Sequence, residues 1–372
     1  MASLPHTHCI FSSGSSLKHH CVTTIRIPEA HISCLAAHNN LLYAASINEI
    51  NVYDLSNFTH IDTFNNDHSD SGSVKSIAFD STKIFTAHQD CKIRVWQITT
   101  TPSKQHRLVS TLPTVKDRLL HFLLPKNYVS VRRHQKRLWV EHCDAVSDLA
   151  VKDGFLYSVS WDKSIKIWNA KSYKCLESVC KAHEDAVNAV AVSENGVVYT
   201  GSSDGRIRVW ERSVDEERTQ RRHTLVGTLE KHKSAVNTLA LNGDGSFLFS
   251  GGSDRSIVVW EREANANHVG FWEALWSHTG AVLCLINVDD HDDLTLVSGS
   301  ADRTVRIWQR GKESGYRCMI ILQGHEKPVK SLVAVKKGDC NGVVSVCSGS
   351  LDGEIKVWDV WTSKNVNFKL NS

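Results

Sequence analysis

A chain of 372 residues whose 43 Lys and Arg nearly balance 40 Asp and Glu, for a net charge of +3, is not built as a general magnet for nucleic acid. Its 41% apolar and 22% charged residues are ordinary globular composition, and no run approaches the roughly 18 apolar residues of a membrane-spanning helix. Eleven cysteines form no Cys-x-x-Cys, and neither Cys175/Cys180 nor Cys340/Cys347 has companions at zinc spacing, so neither a metal nor a disulfide framework is expected.

Residues 1–20 are Ser- and His-rich, lack the apolar stretch and basic start of a secretory signal, and read as a disordered tail. With thiols such as Cys34 and Cys284 set in apolar patterns as free, buried groups, this points to a reducing compartment, cytoplasmic or nuclear. The β-branched CVTTIRI, Cys21 to Ile27, reads as a strand. Next come ISCLAA from Ile32 and YAASINEINVY ending at Tyr53, then VKSIAF from Val74 and a phrase ending at Trp96.

That phrase, [Ser/Thr]-x3-Asp-x2-[Ile/Val]-x-[Ile/Val]-Trp, fits six places without exception: Thr86–Trp96, Ser158–Trp168, Thr200–Trp210, Ser250–Trp260, Ser298–Trp308 and Ser348–Trp358. The copy at Tyr53 is weaker, with Ala44 in place of the hydroxyl residue and a turn one residue short. Upstream of the last five units stands His-x3-Val, at His142, His183, His232, His278 and His325; unit 2 has Asp70 there and unit 1 has Pro28. Runs such as VNAVAV, VYTGSS, IRVW and HTLVGTL are short, β-branched and bounded by turn residues, so each unit supplies four strands. Four strands at a period of 42 to 50 residues describe a propeller blade. The expected fold is all-β: a seven-bladed propeller over 21–361, four antiparallel strands per blade, closed by Cys21–Ile27, with 362–372 as a tail.

One interval breaks the period, the 72 residues from Trp96 to Trp168. The surplus, 113–141, carries Lys116, Arg118, Lys126, Arg132, Arg133, Lys136 and Arg137 against Asp117 and Glu141, a net of +5 on a body of −2. Val115, Leu119, Phe122 and Leu123 are at helical spacing up to Pro125, and YVSVRRHQKRLWV reads as two extended pieces around a basic turn. The insertion could be a solvated loop, a docking site for an acidic partner, a nuclear-import patch at RRHQKR or a direct nucleic-acid contact.

The units resemble WD repeats over about residues 21 to 361, although only Trp358-Asp359 shows the family's closing pair. The resemblance implies a hydrogen-bonded network in each blade. The sets are His142, Ser158, Asp162 and Trp168; His183, Thr200, Asp204 and Trp210; His232, Ser250, Asp254 and Trp260; His278, Ser298, Asp302 and Trp308; and His325, Ser348, Asp352 and Trp358. A catalytic triad is needed once, whereas this set recurs five times in full, so no catalytic role and no cofactor are expected. The insertion and HISCLAAHNNLLYAASINEINVYDL further resemble the JINGUBANG-like WD-repeat proteins of plants, which implies a non-enzymatic regulator in control of pollen germination and tube growth.

His loops and Asp turns must share one rim, the upper one, and the insertion lies in a His-bearing loop. The family's partner-binding positions, carried over, fall on Ser73, Lys75 and Gln89; Ala145, Ser147 and Trp161; Ala186, Asn188 and Ser203; Ala235, Asn237 and Ser253; Ala281, Leu283 and Ala301; and Pro328, Lys330 and Leu351. Trp161 stands out as an anchor, unless the insertion covers it. Trp272 and Trp276 are expected between blades or along the outer edge. The function expected is a monomeric protein-interaction scaffold. It would bind an acidic or phosphorylated protein through Trp161, Leu283, Leu351, Lys75, Lys330, Arg132, Arg133, Lys136 and Arg137, without membrane or direct nucleic-acid contact. The alternatives are a ubiquitin-ligase substrate receptor, for which no Trp-Asp-x-Arg and no preceding F-box-like domain is found, and a propeller enzyme.

Overall fold

The computed structural model describes residues 18–361 except 29–30, 66–68, 100–105, 124–126, 133–134, 215–220, 263–268, 291–292, 312–314 and 337–342. The expected tails at 1–17 and 362–372 lie outside the described residues. Seven four-stranded antiparallel sheets form, each with its strands in sequence order except the last. Blade 4 is representative: Val187–Val192, Val198–Ser202, Arg206–Val214 and Arg221–Glu230, from the axis outwards. The first strands of successive blades adjoin one another around the axis, and that of blade 7 (Val329–Lys336) adjoins that of blade 1 (Ile32–His38).

Seven apolar clusters fill the seven seams between blades, so no blade has a core of its own. The second strands are the most enclosed elements; Val198–Ser202 is buried at every residue. The sequence answers with small residues. A Cβ on Gly251 would lie 2.6 Å from Val282 Cγ1 of the next blade, and one on Gly299 2.8 Å from Val329 Cγ1. Glycine stands there because the neighbouring valine occupies the space.

Closure follows the expected route. Lys18–Arg26 pairs antiparallel with Glu354–Trp361 as the outer strand of blade 7, setting Cys21 opposite Trp358 and Arg26 opposite Glu354. It begins three residues before the expected boundary at Cys21, because Lys18, His19 and His20 pair through their backbones and need no apolar side chains.

The insertion departs more from expectation. Its helix, Val115–Phe122, and hairpin, Tyr128–Arg132 with Gln135–Leu138, do form. The segment does not simply lie on the disc, however. Leu138 and Val140 are buried with Leu112, Leu149, Trp168 and Cys175 in the seam between blades 2 and 3. The second extended piece, ending at Leu138, thus runs on into the seam through Val140. Of the two tryptophans on Val269–Trp276, Trp272 packs against Phe247, with Arg310 over its ring at 4.2 Å, whereas Trp276 is 62% exposed.

Candidate functional site: the upper rim

The rim is built by the blade networks. In blade 4 the Trp210 indole N–H donates to Thr200 Oγ1 at 2.9 Å, Thr200 Oγ1 meets His183 Nε2 at 2.8 Å, and His183 Nδ1 meets Asp204 Oδ2 at 3.0 Å. An indole only donates and a carboxylate only accepts, so the chain of protons has one direction: hydroxyl to Nε2, and Nδ1–H to Asp. The same three contacts join the expected residues in blades 3, 5, 6 and 7. Each Asp also receives the backbone N–H after its His, as Glu184 N donates to Asp204 at 3.0 Å. The His loop and the Asp turn are thereby locked to one edge.

This is the connectivity of a Ser-His-Asp triad. Yet Ser158, Thr200, Ser250, Ser298 and Ser348 are all fully buried, each with an indole on its hydroxyl, so no substrate reaches them. Burial holds the imidazoles of His142, His183, His232 and His325 below their ordinary value, although the facing Asp opposes it. Burial pushes the other way on Asp204, but backbone N–H groups and His183 keep its carboxyl below the usual range. His325, Asp352 and Glu354 bring ligand atoms within 4.8 Å of one another, as a metal site would. All three are already committed: His325 to Ser348 and Asp352, and Glu354 to Arg26 and Lys356.

Blade 2 solves its missing histidine differently. His88 is fully buried, its Nε2 2.7 Å from Thr86 Oγ1, which also receives the Trp96 N–H at 3.0 Å. Asp90, freed from a loop histidine, pairs with Arg94 at 2.8 Å. The sequence carried the signal, since residues two apart in a strand share a face.

On every first strand the ladder slips by one residue after its opening apolar residue, as between Val146 and Asp148. The bulged residue is one of the positions carried over as partner-binding. In three blades it is used internally: Ser147 donates to Val187 O at 2.5 Å, Asn188 to Val236 O at 2.9 Å and Asn237 to Val282 O at 2.9 Å. These three side chains are thus cross-links between blades. Lys75, Leu283 and Lys330 hold the same position in blades 2, 6 and 7.

Lys75 Nζ sits 5.2 Å from the centre of the Trp161 ring. Burial, then the charge of Lys330, lowers the pKa of Lys75. Trp161 is 40% exposed, hence not covered by the insertion. Lys330 is exposed, and Leu283 and Leu351 are half-buried. The basic hairpin divides. Lys136 is exposed, but Arg137 is half-buried and donates to His142 O at 3.4 Å. Arg132 is in the hairpin strand, and Arg133 lies outside the described residues. Asp148 accepts the Val190 N–H at 3.0 Å, and burial pushes its carboxyl up to about 6.

Comparison with known proteins matches this architecture unit by unit. The family model described as "WD domain, G-beta repeat" matches residues 58–97, 134–169, 174–211, 223–261, 273–309 and 316–359, together more than half of the chain. An uncharacterized WD repeat-containing protein of Schizosaccharomyces pombe is 29% identical over 221 residues, covering 57% of this chain and 54% of its own length. An F-box/WD-40 repeat-containing protein of Arabidopsis thaliana is 31% identical over 34% of this chain and 21% of its own length. A kinesin-like protein of Homo sapiens is 27% identical over 32% of this chain and 7% of its own. The chain thus spans little more than half of one of these relatives and far less of the others. With six units matched in sequence and the His–Ser/Thr–Asp–Trp network closed in five blades, the chain belongs to the WD-repeat family.

Proposed function

We propose that this propeller is a non-catalytic regulatory scaffold that binds an acidic or phosphorylated protein segment at the mouth of its upper rim. WD-repeat propellers are typically non-catalytic and generally act as protein-interaction scaffolds. The observation that carries the finer reading is the cluster of Lys75 over the half-exposed Trp161 ring, with Lys330 close enough to perturb it. A partly buried Lys75 that feels the charge of Lys330 is relieved by an anion, and an exposed indole supplies buried apolar area beside it. Leu283 and Leu351 flank the mouth, and the insertion adds positive charge for encounter. The rim would act in the nucleus or cytoplasm, and its JINGUBANG-like insertion motivates a role in controlling pollen germination and tube growth.

The test is affinity purification from the native tissue with wild type, Trp161→Ala and a Lys75→Ser/Lys330→Ser variant. Loss of the same acidic or phosphorylated proteins from both variants, with unchanged thermal unfolding, supports the reading. Retention of every partner by both variants sinks it. A ubiquitin-ligase subunit recovered with all three would instead favour the substrate-receptor reading.

A further inference from the structure

We propose that the helix Val115–Phe122 and the hairpin beside it form a docking surface for an anionic lipid bilayer. The helix is inside out. Val115, Leu119, Leu120 and Phe122, with Leu123 at its end, are 55–80% exposed. Asp117 is buried, His121 lies edge-on to Trp139 with ring centres 5.2 Å apart, and Arg118 reaches back to Glu141 at 2.9 Å. A surface helix ordinarily turns its apolar stripe to the core. This one is held by its polar side instead. Thr114 caps it by accepting the Asp117 N–H at 3.1 Å, Asn127 donates to His121 O at 3.1 Å, and Tyr128 donates to Phe122 O at 3.1 Å.

The charges say what covers it. Both acids of the insertion turn inwards, Asp117 by burial and Glu141 by pairing with Arg118, while Lys116 and Lys136 stay exposed on a segment of net +5. A second copy would bring two such surfaces together and is opposed by their repulsion. An acidic protein would need a groove cut to a short convex helix. A bilayer needs none: it takes a protruding apolar face of any shape into its interface and offers anionic headgroups to the lysines around it. No described helix is long and apolar enough to cross a membrane, so the association is with its surface. This departs from the expectation, drawn from the sequence, of no membrane contact.

The experiment floats the intact chain with vesicles of phosphatidylcholine alone and of phosphatidylcholine with phosphatidylserine, at low and at high salt. Wild type is expected to float with the serine-containing vesicles at low salt. Leu119→Ser/Phe122→Ser/Leu123→Ser should abolish flotation, and Lys116→Ser/Lys136→Ser should weaken it by about tenfold or more. Both change exposed side chains, so unchanged thermal unfolding confirms the fold. Trp161→Ala should float like wild type, which separates this surface from the rim. No flotation of wild type, or equal flotation of the triple variant, overturns the proposal. Binding of an acidic amphipathic peptide without vesicle binding would assign the face to a protein and overturn it equally.

Discussion

Thr200 and its counterparts each join an indole to an imidazole where water cannot substitute for either, so the network is sensitive to single atoms. Trp210→Ala should cost about 3–5 kcal/mol through the cavity and the lost bond. Asp204→Ala, which strips the partner from His183 and two backbone N–H groups, should cost about 1.5–3 kcal/mol. Equilibrium denaturation of both variants checks this; values within a few tenths of wild type would contradict the network. The same groups set the pH profile. The four imidazoles are held below their ordinary value, so the unfolded chain protonates first and stability falls as pH drops through about 6.5. The carboxyls of Asp162, Asp204, Asp254, Asp302 and Asp352 are also lowered; their contribution, complete above about pH 4, is lost on further acidification. Asp148 acts oppositely, its raised value costing stability as pH rises from about 4 to 6. Between neutral pH and about pH 5, one carboxyl against four imidazoles leaves a net loss. A urea midpoint that does not fall between neutral pH and about pH 5 would contradict it.

At the scale of the element, a blade is held by what its neighbour intrudes. Gly251→Ala places a methyl against Val282 Cγ1 and Thr238 Cγ2, at 2.6 and 2.8 Å, and should destabilise by about 1–3 kcal/mol. Gly270, with nothing within 4 Å of its Cβ position, is the control and should accept alanine without comparable loss. The outer strand of blade 7 makes a stronger test, because it joins the two ends of the chain. Removing residues 1–27 deletes Lys18–Arg26 and exposes the edge of Glu354–Trp361, whereas removing 1–17 leaves that pairing whole. The longer truncation should melt earlier and scatter light on heating; equal behaviour of the two would contradict closure by this strand. The insertion is likewise structural in part. Deleting it removes Leu138 and Val140 from the seam between blades 2 and 3, so its binding role is better tested by surface substitution.

For the whole molecule, shape and charge are assigned to different regions. The disc is nearly neutral, and the positive charge is concentrated in one elaborated loop beside a rim where Trp161 stands half-exposed. Once the rim partner is in hand, changing Arg132, Arg133 and Lys136 to Ser should lower its association rate and flatten the salt dependence. Unchanged thermal unfolding of this variant is the control, and Lys136, an exposed charge, contributes little to stability. Trp161→Ala should raise the dissociation rate by removing an anchor. Binding kinetics at two salt concentrations separate the effects; unchanged kinetics in both variants would move the partner off this rim.

The repeat by itself determined the family, the number of blades, the strand that closes the ring and the members of the five complete networks. Those properties rest on local spacing: a hydroxyl, a turn aspartate and an indole at fixed intervals on paired strands must meet wherever the strands pair. What the tertiary structure decided depends on contacts between units that no single unit encodes. Only the seams show that Ser147, Asn188 and Asn237 are cross-links between blades while Lys75 lies over the Trp161 ring of the next blade. His88 entered blade 2's network unrecognised because it stands two residues after Thr86 on the same strand, a place outside the repeat's pattern. The apolar stripe of Val115, Leu119, Phe122 and Leu123 was legible as a helix, but its direction was not. Periodicity fixes which residues share a face. Which face turns inwards is set by what lies beneath, here Trp139, Asn127 and Glu141 holding the polar side.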